Sequence, residues 1–427
     1  MLRREDYVYV GVDLHKAANV AMMVDCFGDP VGKSSMKFEN TRAAFSPWVE
    51  QVKRRAKGKA VVFGLEDVHG LGLALATFLL EAGETVKYVN AYSTKQERKE
   101  VNKTDKIDAL AVARVTQRHV HDLPDATVDP LWLALVNTVS HRRGLVEEQI
   151  RIKNRLHNLL MRSWPGWGTF FSEPFDSKAA LAFWVQYPSV YRVQGVDVED
   201  LTKFLQEASH WAMGRKHAER IVVAASGCPV QPPYQEEQDY MIRSSIAQLR
   251  FLREQLTEVR SRLAGLIAQT GYDLTQIPGV DVVLSAQLIS LIGDVTRFPN
   301  PDKFVSFCGI APVTFASGEK DNRKRSKFGR RELHSLIHQL SIYQLVVHAK
   351  TKTPRNPEAK AYYDKHLGDQ AARPSRERDR KTVKKALVSL MRQQAIRLYK
   401  LMKAQKVAEL EQQKKVAAKP ATTPEAA

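Results

Sequence analysis

The 427-residue chain is poor in cysteine, with only Cys26, Cys228 and Cys308. Their wide spacing excludes a zinc-binding cysteine cluster or a disulfide framework and is typical of reduced thiols. No run of about 18 uncharged apolar residues occurs, which excludes a transmembrane helix. The opening segment, Met-Leu-Arg-Arg-Glu-Asp, lacks the apolar region of a signal peptide. We therefore expect a cytoplasmic protein, and its length favours two or three domains.

Acidic side chains are scarce in the last third of the chain. The formal net charge is +18, and from Ser317 to Lys415 there are 26 Lys and Arg against 10 Asp and Glu, a net of +16. Such an asymmetry predicts a C-terminal region that binds a polyanion, most simply a nucleic acid. The alternative is a charged surface that only keeps the protein soluble.

The N-terminal region, residues 1–125, alternates strand and helix patterns. The predicted strands are Tyr7–Leu14, Asn19–Cys26, Gly32–Phe38, Ala60–Glu66 and Thr85–Asn90. The predicted helices are Thr41–Arg55, Leu71–Ala82 and a helical stretch over Thr94–Gln117. Three strands followed by helix, strand, helix, strand and helix is the order of a ribonuclease H-like fold, an α/β domain with a mixed sheet.

Four carboxylates in this region form a candidate metal site. Asp13 ends the alternating apolar run of the first predicted strand, and Glu66 ends the fourth strand. Asp105 and Asp108 project from one face of the last helix because they are three residues apart. Hard oxygen ligands of this kind suit Mg²⁺, and pairs of such ions about 4 Å apart promote phosphodiester chemistry. Each acid also has a structural alternative: Asp13 and Asp105 as helix caps, and Glu66 as a turn residue.

Residues 126–272 are expected to be mainly helical. Two long helices are predicted, Pro130–Met161 and Tyr240–Thr270, and their heptad-like apolar spacing fits either an antiparallel coiled coil or ordinary core helices. The insert between them, residues 162–238, contains four of the six tryptophans, and its role cannot be assigned.

The third region, residues 273–415, is predicted to be mostly helical. The segment Ile277-Pro-Gly-Val resembles a helix-hairpin-helix element, in which the turn at Gly279 would present backbone N–H groups to a phosphate. A plain helix–turn–helix packing unit is the alternative. A basic stretch follows the Ser317-Gly dipeptide, and residues 416–427 have the composition of a disordered tail.

Six short motifs carry a resemblance to one family, and the match runs from residue 7 to about residue 350. They are Gly-Val-Asp13-Leu-His-Lys, Leu-Glu66, Lys-Thr-Asp105-Lys-Ile-Asp108-Ala, Lys153-Asn-Arg-Leu, Ile277-Pro-Gly-Val and Gly309-Ile-Ala-Pro-Val-Thr-Phe-Ala-Ser317-Gly. In this order they resemble the DEDD insertion-sequence transposases, which are bridge-RNA-guided recombinases.

The resemblance implies a RuvC-like domain joined through a coiled-coil region to a transposase domain. It implies that the four acids bind Mg²⁺ and that Ser317 attacks a DNA phosphate, leaving a phosphoserine link and a free 3′-OH. It further implies that a non-coding bridge RNA pairs with donor and target DNA. Subunits would form a tetramer in which the acids of one subunit complete a site around the serine of another.

Ten residues are candidates for nucleic-acid contact. They are Lys153, Arg155, Gly279, Lys320, Arg323, Lys324, Arg325, Lys327, Arg330 and Arg331. The chain also departs from the family pattern at two places. Asp67 lies in a loop one residue longer than the family's usual Glu-x-x-Gly and is a candidate to share or replace the role of Glu66. The stretch Phe328-Gly-Arg-Arg-Glu-Leu-His334 stands where Gly-Asn and a Leu-Arg pair are expected.

Two other functions fit the same residues. A metal-dependent nuclease or junction resolvase would use the four acids and an activated water, with Ser317 as a turn residue. A basic scaffold that binds RNA or DNA without catalysis would not need the acids at all.

Overall fold

The computed structural model describes residues 3–68, 70–98, 104–164, 166–227, 234–317, 320–325, 329–348, 351 and 353–417. It divides the chain into two compact units, Met1–Leu133 and Ala134–Ala427. No helix in the described part of the chain is long and apolar enough to cross a membrane. Cys228, Lys327 and most of the predicted tail lie outside the described residues.

The first unit contains a five-stranded mixed sheet. Its strands are β1 (Tyr7–Asp13), β2 (Ala18–Val24), β3 (Met36–Glu39), β4 (Ala60–Leu65) and β5 (Thr85–Tyr88). They lie in the order β3-β2-β1-β4-β5, with β1, β4 and β5 parallel to one another and β2 and β3 antiparallel to their neighbours. All five predicted strands are present. Strand β3 starts later than predicted because Gly32 takes a left-handed bend, with φ +94°.

Four helices accompany the sheet: α1 (Arg42–Ala56), α2 (Leu73–Glu81), α3 (Ala91–Glu97) and α4 (Asp105–Arg118). The helical stretch predicted over Thr94–Gln117 is therefore two separate helices, each with its own N-cap. The side chain of Asn90 accepts a hydrogen bond from Tyr92 N at the start of α3, and that of Thr104 accepts one from Ile107 N at the start of α4. Such caps satisfy backbone N–H groups that have no partner inside the helix.

The two faces of strand β1 have different neighbours. Val8, Val10 and Val12 belong to the core that also contains Phe45 of α1 and Leu75 of α2. Side chains alternate across a strand, so Tyr9, Gly11 and Asp13 face the other way. On that side Tyr9 packs in a cluster with Ala113 of α4. Helix α4 therefore covers the face of the sheet that carries Asp13.

The helical region that follows begins with α5 (Pro130–Ser163) and ends with α9 (Gln235–Gln269). Between them lie α6 (Lys178–Gln186), α7 (Val198–Ser209) and α8 (Arg215–Ser226). Ser163 Oγ of α5 donates to Gln238 Oε1 (3.0 Å) and Arg155 Nη1 donates to Gln248 Oε1 (3.4 Å), so α5 and α9 run antiparallel. Within the insert, Trp164, Trp167 and Trp184 form an aromatic core.

The rest of the second unit is mostly helical, as predicted. Its elements are α10 (Val282–Ile292), α11 (Pro301–Phe307), β6 (Pro312–Ser317), β7 (Lys320–Arg325), α12 (Arg331–Leu345), α13 (Pro357–Leu367) and α14 (Arg380–Ala417). The helix-hairpin-helix resemblance holds only for its second half. Residues 270–281 form turns rather than a first helix, with Ile277 N bonded to Leu274 O and Val280 N to Ile277 O. Gly279 occupies the left-handed turn position, with φ +92°.

Candidate metal centre

A pair of glycines sets helix α4 directly against the sheet. Gly11 of β1 and Gly64 of β4 are register partners. A Cβ atom on Gly11 would lie 2.1 Å from Ala113 N, and one on Gly64 would lie 1.9 Å from Thr116 Oγ1. Real Cβ contacts are essentially never this short. At Gly11 the obstacle is helix backbone, so only glycine permits the approach, whereas a Cβ at Gly64 would require the Thr116 side chain to move.

Each glycine is followed two residues later by a predicted metal ligand. Asp13 comes two residues after Gly11 and therefore projects from the face that α4 covers, and Glu66 comes two residues after Gly64, immediately beyond the end of β4. Val12 and Leu65 are register partners in the parallel pair β1–β4, which places Asp13 and Glu66 side by side at the carboxyl ends of adjacent strands. Adjacent strands are about 4.8 Å apart.

Helix α4 brings Asp105 to the same place. The Nε2 atom of His15 lies 3.1 Å from Asp13 Oδ2 and 3.7 Å from Asp105 Oδ1. One ligand atom from each of these three residues fits within a group no wider than 4.8 Å. The structure therefore brings the end of β1 together with the first turn of α4, where the sequence predicted shared metal ligands.

The charged groups around Asp13 affect the pKa of its carboxyl. Burial raises the pKa of the Asp13 carboxyl above its ordinary value, and the negative charges of Asp108 and Asp105 raise it further, whereas His15 acts in the opposite direction. A divalent cation bound there would stabilise the ionised form of Asp13, which burial and the two neighbouring carboxylates oppose.

Asp108 is the most buried of the four acids, with 7% of its surface exposed. Its Oδ1 lies 3.0 Å from Arg98 Nε, so the two form an ion pair. Neither atom makes a well-directed hydrogen bond to any described residue. A metal ion at Asp108 would compete with Arg98 for this oxygen. The chemistry of the set, carboxylate oxygens with one imidazole, fits a divalent metal.

Glu66 is fixed by a neighbour on α3. The hydroxyl of the buried Thr94 donates a hydrogen bond to Glu66 Oε1. Asp67, the proposed substitute, is engaged elsewhere: its carboxylate accepts from Gly70 N (2.8 Å) and Leu71 N (2.9 Å), closing its own loop. Asp67 is therefore occupied within its own loop, whereas Glu66 is the acid that contacts α3.

The cap alternatives for Asp13 and Asp105 do not apply. Asp13 ends a strand and does not begin a helix, and the cap of α4 is Thr104 rather than Asp105. The sequence reasoning missed His15 and Arg98 as members of the site. The available signal for His15 was its spacing, because a residue two positions beyond Asp13 returns to the same side of an extended chain.

The predicted nucleophile and nucleic-acid contacts lie in the second unit. Ser317 is the last residue of β6, and its backbone is in register with Lys320 at the start of β7. Lys320, Arg323, Lys324 and Arg325 all belong to β7.

The remaining predicted nucleic-acid contacts lie at separate positions outside β7. Lys153 Nζ is paired with Asp176 (2.7 Å), so a phosphate would compete with that carboxylate. Arg155, Gly279, Arg330 and Arg331 are exposed.

Comparison with known proteins identifies the family that the chain resembles. A DEDD transposase model of the IS110 type matches residues 10–165, and a model of transposases of the IS116/IS110/IS902 family matches residues 272–364. The chain is 24% identical over 386 residues to the insertion element IS116 uncharacterized 44.8 kDa protein of Streptomyces clavuligerus, covering 86% of this chain and 90% of that protein. It is also 24% identical over 409 residues to the insertion element IS110 uncharacterized 43.6 kDa protein of Streptomyces coelicolor, covering 93% and 94%.

The mixed-sheet unit with its cluster of acids and the two family matches, which together span more than half of the chain, define a transposase of an insertion sequence. The chain belongs to the IS110 family of transposases. The predicted family is thereby confirmed.

Proposed function

We propose that the protein is an RNA-guided, Mg²⁺-dependent serine recombinase that cuts and rejoins DNA. Its N-terminal part, residues 1–125, would be a RuvC-like domain of the ribonuclease H fold, followed by a helical coiled-coil region (126–272) and a transposase domain (273–415). The sheet order β3-β2-β1-β4-β5, with acids at the ends of β1 and β4, supports the first assignment.

The observation that carries the proposal is the meeting of Asp13 and Asp105 around His15, with Asp108 close enough to raise the pKa of Asp13. Asp13, Glu66, Asp105 and Asp108 would hold Mg²⁺, which when bound supplies Lewis-acid stabilisation of a phosphodiester undergoing displacement. Gly11 and Gly64 allow helix α4 to pack closely against strands β1 and β4, and Thr94 orients Glu66.

Ser317 would be the nucleophile. A serine hydroxyl is weak at its ordinary pKa and needs a base, a metal or strong polarisation of its target. In the proposed step the Ser317 Oγ–P bond forms and the P–O3′ bond of the DNA breaks. The serine loses its proton as the leaving 3′ oxygen gains one, which gives a 5′-phosphoserine link and a free 3′-OH. The link keeps the phosphodiester energy, so the reverse attack by another 3′-OH rejoins DNA without ATP.

The proposed partners follow from the positive charge of the C-terminal region and from the location of the acids and of Ser317 in different units. The net +16 between Ser317 and Lys415 supports binding of donor DNA, target DNA and a non-coding bridge RNA. The acids lie in the first unit and Ser317 in the second. We propose a tetramer in which the acids of one subunit serve the serine of another.

The basic residues around the serine would bind phosphates. Lys320, Arg323, Lys324 and Arg325 of β7 are the main candidates, with Lys327, Arg330 and Arg331 continuing the stretch. Lys153, Arg155 and Gly279 would add contacts elsewhere in the second unit.

Trapping of the covalent intermediate tests the chemistry. The full chain is expressed in cells that carry the element with both flanks, the cells are lysed in SDS, and DNA that remains attached to protein is quantified before and after protease digestion. We expect an attached fraction for the wild type and for Ser306→Ala, an exposed serine in α11. We expect none for Ser317→Ala or for Asp105→Asn, whereas Asp122→Asn, a matched exposed control, behaves as wild type.

The same experiment separates the competing functions. If Ser317→Ala still cuts DNA and leaves free ends while Asp105→Asn does not, the protein is a metal-dependent nuclease and the serine step is wrong. If both variants retain cutting, neither the acids nor the serine carries the chemistry.

A further inference from the structure

His15 lies between two carboxylates that come from different elements. It follows β1, and its Nε2 atom faces Asp13 Oδ2 at 3.1 Å and Asp105 Oδ1 at 3.7 Å. The histidine side chain is 46% exposed, so it is accessible from solvent. Without the ring, the ends of β1 and α4 would present only oxygen ligands at this point.

The backbone of His15 is held by hydrogen bonds to two asparagines. His15 N donates to Asn19 Oδ1 (3.0 Å), and Asn40 Nδ2 donates to His15 O (3.1 Å). Asn19 is fully buried and its Nδ2 also donates to Asn40 Oδ1 (3.3 Å). The loop is therefore preorganised, which lowers the entropy cost of using the ring as a ligand.

We propose that His15 is a nitrogen ligand of the cation held by Asp13 and Asp105, and that it makes this centre bind Mn²⁺ more tightly than Mg²⁺. The inference rests on the proposed function, because it assumes that these acids bind a divalent cation. Carboxylates accept both ions, but an imidazole nitrogen favours first-row transition metals over Mg²⁺. The neutral ring presents a lone pair at Nε2 when its proton is on Nδ1, so no change in net charge is required.

The competing explanation is that His15 only orients Asp13 through a hydrogen bond. In that case its loss would weaken Mn²⁺ and Mg²⁺ binding by the same factor, since both ions use the misplaced carboxylate. A nitrogen ligand instead predicts a selective loss of Mn²⁺ affinity and a direct magnetic interaction between the bound Mn²⁺ and ¹⁴N.

The experiment uses the full-length protein with Mn²⁺ alone as the probe. Pulsed electron paramagnetic resonance detects ¹⁴N coupling to bound Mn²⁺, and titration gives the Mn²⁺ affinity, with Mg²⁺ measured by competition. The variants are His15→Gln and the matched control His121→Gln. His121 is exposed just beyond the far end of α4, whose 14 residues span about 21 Å from Asp105. Thermal unfolding in EDTA checks that both variants fold.

We expect ¹⁴N coupling in the wild type and in His121→Gln, and its loss in His15→Gln. The Mn²⁺ dissociation constant of His15→Gln should rise about tenfold, a loss of the size seen when groups that support a metal site are removed. The Mg²⁺ dissociation constant should change by less than about twofold. Coupling that persists in His15→Gln, or equal losses for both ions, would overturn the proposal.

Failure of this inference is distinguishable from failure of the proposed function. If only the inference is wrong, the wild type binds Mn²⁺ without ¹⁴N coupling and Asp105→Asn still abolishes binding. If wild-type protein binds neither Mn²⁺ nor Mg²⁺, or if Asp105→Asn binds both as the wild type does, the acids are not a metal centre and both proposals fall.

Discussion

Gly11→Ala adds one methyl group at the point where helix α4 touches strand β1. The new Cβ would lie 2.1 Å from Ala113 N and 2.4 Å from Ala109 O, and ordinary contact begins at 3.4 Å. The obstacle is helix backbone, which cannot rotate away, so α4 must retreat by about 1.3 Å, the difference between the first distance and ordinary contact. Asp105 is one helical turn from Ala109 and moves with it.

Two consequences follow from that displacement. Overpacking of this kind costs about 3 kcal/mol, the upper part of its usual range. For a unit of this size that lowers the melting temperature by on the order of 10 °C. A misplacement of about 1 Å in a catalytic constellation reduces the rate about 100-fold. Gly11→Ala should therefore lose activity even at temperatures where it remains folded.

The assay combines thermal unfolding with the yield of excised element circles at a permissive temperature. The matched control is Gly144→Ala, in an exposed position of α5 where an added Cβ meets nothing within 4 Å. That variant should be as active as the wild type and stabilised by up to about 1 kcal/mol, because alanine is the better helix former. Wild-type stability and circle yield in Gly11→Ala would refute the close approach of α4 and β1.

Three further predictions test neighbouring parts of the account. Gly64→Ala should destabilise the protein through its clash with Thr116 Oγ1, and Thr116→Ala in the same chain should restore most of the loss in a double-mutant cycle; additive effects would contradict the contact. Thr94→Val should weaken Mg²⁺ binding about tenfold by removing the hydroxyl that orients Glu66, whereas Thr94→Ser should not; equal affinities for the two variants in a titration would show that the hydroxyl is dispensable. Binding of element-end DNA should weaken steeply between low and moderate salt in a filter-binding series, and a flat response would remove the polyanion assignment.

The mixed sheet and the position of its acids were predictable because both depend on local pattern. Alternating apolar runs that end in Asp13 and Glu66 indicate strands, and the order of strands and helices indicates a fold in which those strand ends lie together. The spacing of Asp105 and Asp108 likewise defines one helical face. The role of these acids in binding metal stays a prediction.

Other features of the site could not be read from local pattern. The approach of α4 to the sheet depends on Gly11 and Gly64 lying opposite each other, and that pairing is set by strand register rather than by sequence distance. The contact of His15 with Asp105 and the ion pair of Arg98 with Asp108 join segments whose proximity exists only after folding. The boundary between α3 and α4 depended on recognising two separate caps within one helical pattern.

The assignment of Ser317 has a different origin. A Ser-Gly dipeptide in a loop is ordinarily a turn, and only the resemblance to the transposase family makes this serine a candidate nucleophile. Its place at the end of β6 is compatible with either role. Trapping of the covalent intermediate, rather than the geometry, decides whether Ser317 is a nucleophile or a turn residue.

The most direct test of the central claim is excision of the native element from a plasmid in a host that lacks it, scored by amplification across the circle junction. Wild-type protein should produce circles, and Ser317→Ala and Asp105→Ala should both produce none at unchanged protein levels, because the serine and the metal ligands act in one reaction. Circles formed by Ser317→Ala but not by Asp105→Ala would contradict the serine mechanism and leave a metal-dependent nuclease.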